Sequence, residues 1–526
     1  MQQQRNHDRL AWGDAVFLYL EREGVPMHIA SVSVLEGAVS LEHCIRLIES
    51  KIPLIPRYRQ RVVAPLFNIG RPVWEFDPAF KVTNHVREVT LKEGSESEFK
   101  TLAAEILSKV MDRQHPLWDI TLVRGLKGGR TGFLSRVHHC LADGMAGVEL
   151  MNAILSPQPT APPPSGKPRR FRVPPPRDPW TSVLDDWMSS YTSIVEQVLT
   201  AQADALKIAE RIVSRPEVIQ RDKLKKLLPE LAAPTESLHF NVTCQGPQKV
   251  AWVEIPLADI KAVKDIYRCS VNDVALALIT ATIRQYALLH ANSIKGRLLR
   301  IMVPVNVRGN GSPAELGNQV SIIPVTIPLD IPNLGKLLRA VHERTEFLKR
   351  ARVAEMFTLA GGLLGVVPAA LSAVAGPLAM QLPITPFNLV CTNVPGPTVP
   401  LYLMGHKLLA WYPYVPIGGD MSINSAILSY NGTVYFGFTG DAKAAPDLVR
   451  LEKFLKTSMQ ELRKAAGIRQ QRRSPRPKAR AAAAGTGVSV ATLGVSTPAP
   501  SVIPAARRTT PAREIEPTEI ATAEVA

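Results

Sequence analysis

Two adjacent histidines, then an aspartate and a glycine at fixed distance, stand at His138, His139, Asp143 and Gly144 in the pattern H-H-x-x-x-D-G. These residue types can draw a proton off a hydroxyl without a metal or a covalent intermediate. Histidine titrates at about pH 6.5, so its neutral form is a competent base near neutrality. A carboxylate four residues further on can order the backbone around it, and a glycine lets that backbone turn tightly. The same residues also fit a buried histidine pair followed by an unrelated Asp-Gly turn, and the short pattern alone leaves both open. Cys140 beside His139 suggests a Cys–His nucleophile, but adjacent residues on an extended chain point apart. There is no G-x-S-x-G elbow, phosphate loop or zinc-ligand spacing.

The elements around the motif explain how it would be positioned. Trp118 to Arg124 and Thr131 to Val137 read as paired strands across a Gly128-Gly129 turn, and the second runs straight into the histidine pair. Gly144 to Leu155 reads as a helix, so the pair sits where a rigid strand hands over to a loop. Upstream, helices are expected over Ala11 to Glu21, over Ser40 to Lys51 with Ser40 as its cap, and over Glu96 to Met111. Strands are expected over Met27 to Leu35 and His85 to Leu91, with a basic strand approach from Pro56 to Val63. A second mixed run begins at Val250 to Ile255. It continues through helices at Pro256 to Tyr267 and Ser270 to Leu289, and strands at Leu298 to Val307, Val320 to Ile327, Ile423 to Ser429 and Val434 to Thr439. A helix from Pro446 to Leu462 closes it.

The chain has 526 residues, too many for one ordinary core. Its composition divides it into 1–156, a proline-rich and then helical connection at 157–235, a second domain at 236–466, and a disordered tail at 467–526. The formal net charge of +16 suits an anionic partner, and eight Lys or Arg residues with no acid lie between Arg463 and Arg480. Basic residues are not interleaved with aromatics, so no nucleic-acid partner is expected. Five scattered cysteines without a C-x-x-C fit a reduced, cytoplasmic setting and no structural zinc, and the polar N-terminus is no secretory signal. Met356 to Gln381 carries no charge, but Pro368, Pro377 and four glycines interrupt it. It reads as one or two buried or membrane-grazing helices, with a transmembrane span as the alternative.

Further blocks extend the pattern: Gly13-Asp14-Ala15-Val16-Phe17-Leu18, Pro26-Met27-His28, Trp74, Phe80, His85-Val86-Arg87 and Pro116-Leu117-Trp118 in the first half. In the second half come Val271-Asn272-Asp273-Val274, Val303-Pro304-Val305-Asn306, Leu316-Gly317-Asn318-Gln319 and Asn393-Val394-Pro395-Gly396-Pro397. In content and order these resemble the bacterial wax ester synthase/diacylglycerol acyltransferase family, of the actinobacterial triacylglycerol synthase type, over about residues 10 to 465. Thr392 and Asn306 stand where that family often has Ser.

The resemblance implies an α/β fold of two similar mixed-sheet domains of the coenzyme A-dependent acyltransferase type, joined by a helical connection, with a substrate tunnel at their interface. It implies acyl-CoA as co-substrate, no cofactor or metal, and diacylglycerol or a long-chain alcohol as acceptor. Triacylglycerol is the expected product and wax ester a side product. His139 would be the general base. His138 would shape the loop or lie near the oxyanion. Asp143 would be structural, paired with Arg61 or Arg59. Gly144 would serve the turn, and Asn272 would approach acceptor or oxyanion unless Asn272 and Asp273 only cap their helix. An acceptor dissolved in a bilayer implies a peripheral membrane or lipid-droplet location, reached through the apolar segment or the basic tail. A condensation enzyme using carrier-bound acyl groups and a lipid-binding protein without chemistry are the alternatives.

Overall fold

The structure is a computed structural model. It describes residues 9–64, 71–141, 150–159 without 152, 236–306 without 292, 320–353 without 352, and 387–468. All of these lie in one compact unit, residues 1–470. The proline-rich connection, the uncharged segment after 353, the basic tail, Asp143 and Gly144 lie outside the described residues.

The first half opens with helix α1 (Trp12–Leu20), strand β1 (His28–Leu35) and helix α2 (Leu41–Lys51). Ser40 caps α2 by accepting the His43 N–H at 3.3 Å. Strands β2 (Gln60–Val63), β3 (Val73–Phe76) and β4 (Val86–Thr90) follow, then helix α3 (Glu96–Leu107) and strands β5 (Trp118–Leu126) and β6 (Arg130–His138). Helix α3 stops four residues short of the expected Met111. The second half contains β7 (Gln248–Pro256), α4 (Leu257–Tyr267), α5 (Val271–Leu289), β8 (Leu298–Asn306), β9 (Val320–Pro328) and α6 (Leu334–Arg350). These are followed by β10 (Leu389–Pro395), β11 (Tyr402–Leu403), β12 (His406–Tyr414), β13 (Ile423–Tyr430), β14 (Thr433–Asp441) and α7 (Arg450–Ala465). β3, α6, β10, β11 and β12 were not anticipated, and Asn393 lies in strand β10.

Two six-stranded mixed sheets organise the unit, in the orders β11-β12-β1-β6-β5-β4 and β7-β14-β13-β10-β8-β9. The first is antiparallel except where β4 runs parallel to β5. In the second, β10 runs parallel to both β13 and β8. Strand β12 comes from the second half of the chain yet pairs with β1 of the first, Ala30 opposite Tyr414 through Leu35 opposite Leu408. The two halves therefore share a core. Trp252 of β7 stacks on Tyr412 with centroids 4.6 Å apart and meets Phe99 of α3 edge-on at 5.9 Å. Its indole N–H donates to Glu96 at 3.1 Å, so a large apolar surface is buried without orphaning its polar atom.

Gly437 on β14 is what lets β12 approach this closely. A Cβ there would lie 2.0 Å from the Pro413 carbonyl oxygen, a backbone atom that cannot step aside. Among the described residues no single helix is long and apolar enough to cross a membrane. Gly437→Ala is expected to cost about 1–3 kcal/mol by overpacking. Urea denaturation of the variant checks this, and an unchanged midpoint would show that the two strands are not pressed together there.

Candidate active site

The histidine pair is delivered by the β1–β6 ladder. Its register runs from Leu35 opposite Thr131 to His28 opposite His138, so the last rung of β6 is the first histidine of the motif. On the other edge of β6, His138 donates its backbone N–H to Leu117 at 2.9 Å. The next residue leaves the sheet but not the scaffold, because the His139 N–H bonds the Met27 carbonyl at 2.9 Å. Leu141 N–H then returns to the His138 carbonyl at 2.9 Å, which closes a turn with His139 and Cys140 in its middle.

The end of the strand separates the two rings, with His138 on the last rung and His139 in the turn that follows. His138 is fully buried. Its Nδ1 accepts the Cys140 backbone N–H at 3.1 Å, so a neutral ring carries its proton on Nε2. That Nε2 lies 3.3 Å from Glu21 Oε1, a contact looser than a full hydrogen bond. His139 is half-buried. Its imidazole stacks flat on Phe17 of α1, centroids 3.7 Å apart and planes 9° from parallel, and its Nδ1 is buried without a hydrogen-bond partner. Burial pulls the His139 pKa down to about 4, and the His138 ring acts in the same direction. The ring is therefore neutral, and able to accept a proton, throughout the physiological range.

Cys140 is buried, and burial raises its thiol well above the ordinary range, which argues against a thiolate nucleophile beside His139. Trp118 is packing, as expected of the P-L-W block. Its indole N–H donates to Tyr58 O at 2.8 Å, and His85 stacks on it at 4.5 Å. An arginine–carboxylate clamp braces this region, two residues before the motif: Arg136 is buried, holds both oxygens of Asp119 through Nε and Nη2, and donates from Nη1 to the Lys109 carbonyl at 2.9 Å. Arg61 lies on β2 at a cavity of about 760 Å³ that Leu18, Tyr19, Glu21 and Arg113 also line, and its Nε is buried without a partner among the described residues.

In the second half, the helix-cap role divides in a way the sequence reading did not separate. Ser270 is the N-cap of α5, and Asp273 closes the capping box. The buried Asp273 carboxylate also takes His342 at 2.9 Å and Thr345 at 2.6 Å. Asn272 is not the cap. Its side-chain oxygen accepts from Asn393 Nδ2 at 3.2 Å, so two sequence blocks 121 residues apart meet at one point. Sequence reasoning missed Glu21 and placed Phe17 and Met27 only in blocks of resemblance. A lone glutamate at a helix end carries no local signal of burial.

Solved structures with this architecture define a class. The wax ester synthase/diacylglycerol acyltransferase from Marinobacter aquaeolei VT8 superposes with a TM-score of 0.60 at 24% identity, covering 87% of this chain and all of that one. The first condensation domain of the calcium-dependent antibiotic synthetase, bound to a substrate analogue, superposes at 0.50 with 16% identity, covering 87% and 97%. This chain shares the fold of both. Residues 10–275 match the wax ester synthase/diacylglycerol acyltransferase catalytic domain, and residues 316–463 match the WS/DGAT C-terminal domain. The chain belongs to the wax ester synthase/diacylglycerol acyltransferase family. Similar proteins include the probable diacylglycerol O-acyltransferases tgs1 and tgs2 of Mycobacterium tuberculosis H37Rv. The first is 28% identical over 462 residues, covering 84% of this chain and 94% of the relative. The second is 27% identical over 472 residues, covering 88% and 100%.

Two outcomes follow from this geometry. The acid limb of the kcat/KM profile is expected well below pH 6, near the His139 value of about 4. A limb centred at about 6.5, the ordinary imidazole value, would mean that the ring is solvated. Cys140→Ala is expected to keep at least about half the wild-type turnover, because a buried thiol held protonated supplies no nucleophile. Loss of acyl transfer with the fold intact would return the cysteine to the mechanism.

Proposed function

We propose that His139 is the general base of an acyl-CoA-dependent O-acyltransfer that converts diacylglycerol to triacylglycerol. The observation that carries this reading is the half-buried, neutral imidazole stacked on Phe17 at the end of β6. The ring takes the proton from the acceptor hydroxyl as the oxygen adds to the thioester carbonyl. A base this weak cannot strip an alcohol in advance, so proton transfer and C–O bond formation proceed together. The tetrahedral oxyanion collapses, the C–S bond breaks, and the departing CoA thiolate takes the proton back from the imidazolium. A thioester is already activated, so no acyl-enzyme is required. Fatty alcohols use the same base to give wax esters.

Asp143 and Gly144 shape the loop beyond His139 in this reading, with Arg61 as the partner of Asp143. Asn272, oriented by Asn393, donates to the acceptor or the oxyanion. The acceptor is dissolved in lipid, so the enzyme works as a peripheral protein at a membrane or lipid-droplet surface.

Incubation with palmitoyl-CoA and either diacylglycerol or hexadecanol is expected to release free CoA together with the ester. CoA released without an acceptor would indicate a thioesterase instead. His139→Ala is expected to lower turnover ~10²–10⁴-fold, and near-wild-type turnover would overturn the assignment.

A further inference from the structure

Glu21 follows the last residue of α1, and only 1% of its side chain is exposed. A carboxylate is rarely buried unless paired, and this one takes two hydrogen-bond donors and faces a third polar group. Oε1 accepts the Met27 backbone N–H at 3.0 Å and faces His138 Nε2 at 3.3 Å, while Oε2 accepts from Arg113 at 3.0 Å. Burial by itself would raise its pKa. His138, Met27 and Arg113 outweigh burial and hold it at about 2, so the group is an anion throughout the physiological range.

Both histidines of the motif are held from this carboxylate. On one side is His138. Its Nδ1 already accepts the Cys140 N–H, so only the tautomer with hydrogen on Nε2 satisfies both ends of the ring. The other tautomer would set N–H against N–H at Cys140 and a lone pair against Glu21. On the other side is Met27. Its N–H goes to Glu21, and its carbonyl takes the His139 N–H at 2.9 Å. One path fixes the turn after His139, and the other fixes the backbone of His139 itself.

We propose that Glu21 is a positioning residue for acyl transfer: a buried anion that sets the tautomer of His138 and, through that ring and through Met27, holds the turn that presents His139. The kinetic part of this proposal rests on His139 being the base. The tautomer part does not.

The test is Glu21→Gln in the full chain, with thermal unfolding and circular dichroism to establish that it folds. The amide keeps the shape but loses the charge that selects the tautomer. Misplacing a catalytic group by about 1 Å can cost ~10²-fold, so kcat is expected to fall ~10–100-fold, with KM for palmitoyl-CoA changed less than about two-fold. In protein labelled with 15N-histidine, the His138 ring resonances are expected to move from the Nε2–H tautomer towards a mixture. A folded variant with wild-type kcat overturns the proposal. So does a fall in kcat with the His138 resonances unmoved, because Glu21 would then act without setting the tautomer. If His139→Ala proves active while the resonances still shift in Glu21→Gln, the base assignment fails and the tautomer control stands. Should Glu21→Gln not fold, Glu21→Asp keeps the charge but draws the carboxylate back from His138 Nε2. A lower kcat with moved His138 ring resonances is then expected, and wild-type values of both overturn the proposal.

Discussion

The register of the β1–β6 ladder is the constraint on which the site depends. His28 opposite His138 is its terminal rung, and each residue along β6 faces the side opposite to its neighbours. His138 ends the strand fully buried, and His139, one residue past it, is half-buried in the turn that follows. A slip of one residue would move every side chain of β6 to the other face and take His138 away from Glu21. The core residues Phe133 and Val137, the buried Arg136 and the chemistry of His139 are in this sense a single packing decision.

Burial sets the proton affinity of the His139 ring. Water withdrawn from around it weakens the charged form, which lowers its affinity for a proton while keeping the ring neutral. In the proposed reaction that trade suits an electrophile that is already activated, and rate would come from holding acceptor hydroxyl, imidazole and thioester together rather than from a strong base. The flat stack on Phe17 and the two backbone bonds of the turn restrict the ring to one orientation.

The two halves are joined covalently and also through a shared core. Strand β12, donated by the second half, completes the sheet that carries the histidines, and Trp252 fills the space between Phe99 and Tyr412. Tyr414 at the end of β12 stacks on His28, the cross-strand neighbour of His138, with centroids 5.5 Å apart. The seam between the halves is therefore one strand away from the motif.

Much of the local structure was legible in the sequence, because it is written in local terms. The hairpin into His138 followed from alternation on either side of Gly128-Gly129, the cap of α2 from Ser40, and the helix over 271–289 from its apolar period. The H-H-x-x-x-D-G spacing and the ordered blocks sufficed to name the family. What the sequence could not supply depends on contacts between distant residues. Strand β12 has an ordinary strand pattern, and nothing in it says which sheet it will join. Asn272 looked like a helix cap until Ser270 took that place and Asn393 arrived from 121 residues away. Glu21 reads as a surface glutamate at a helix end, and only packing of α1 against the β6 turn makes it a buried anion. Sequence by itself determined which groups could do chemistry, because residue type and spacing are local. Tertiary structure decided which histidine is sealed and which can react, because burial is a property of the assembled sheets.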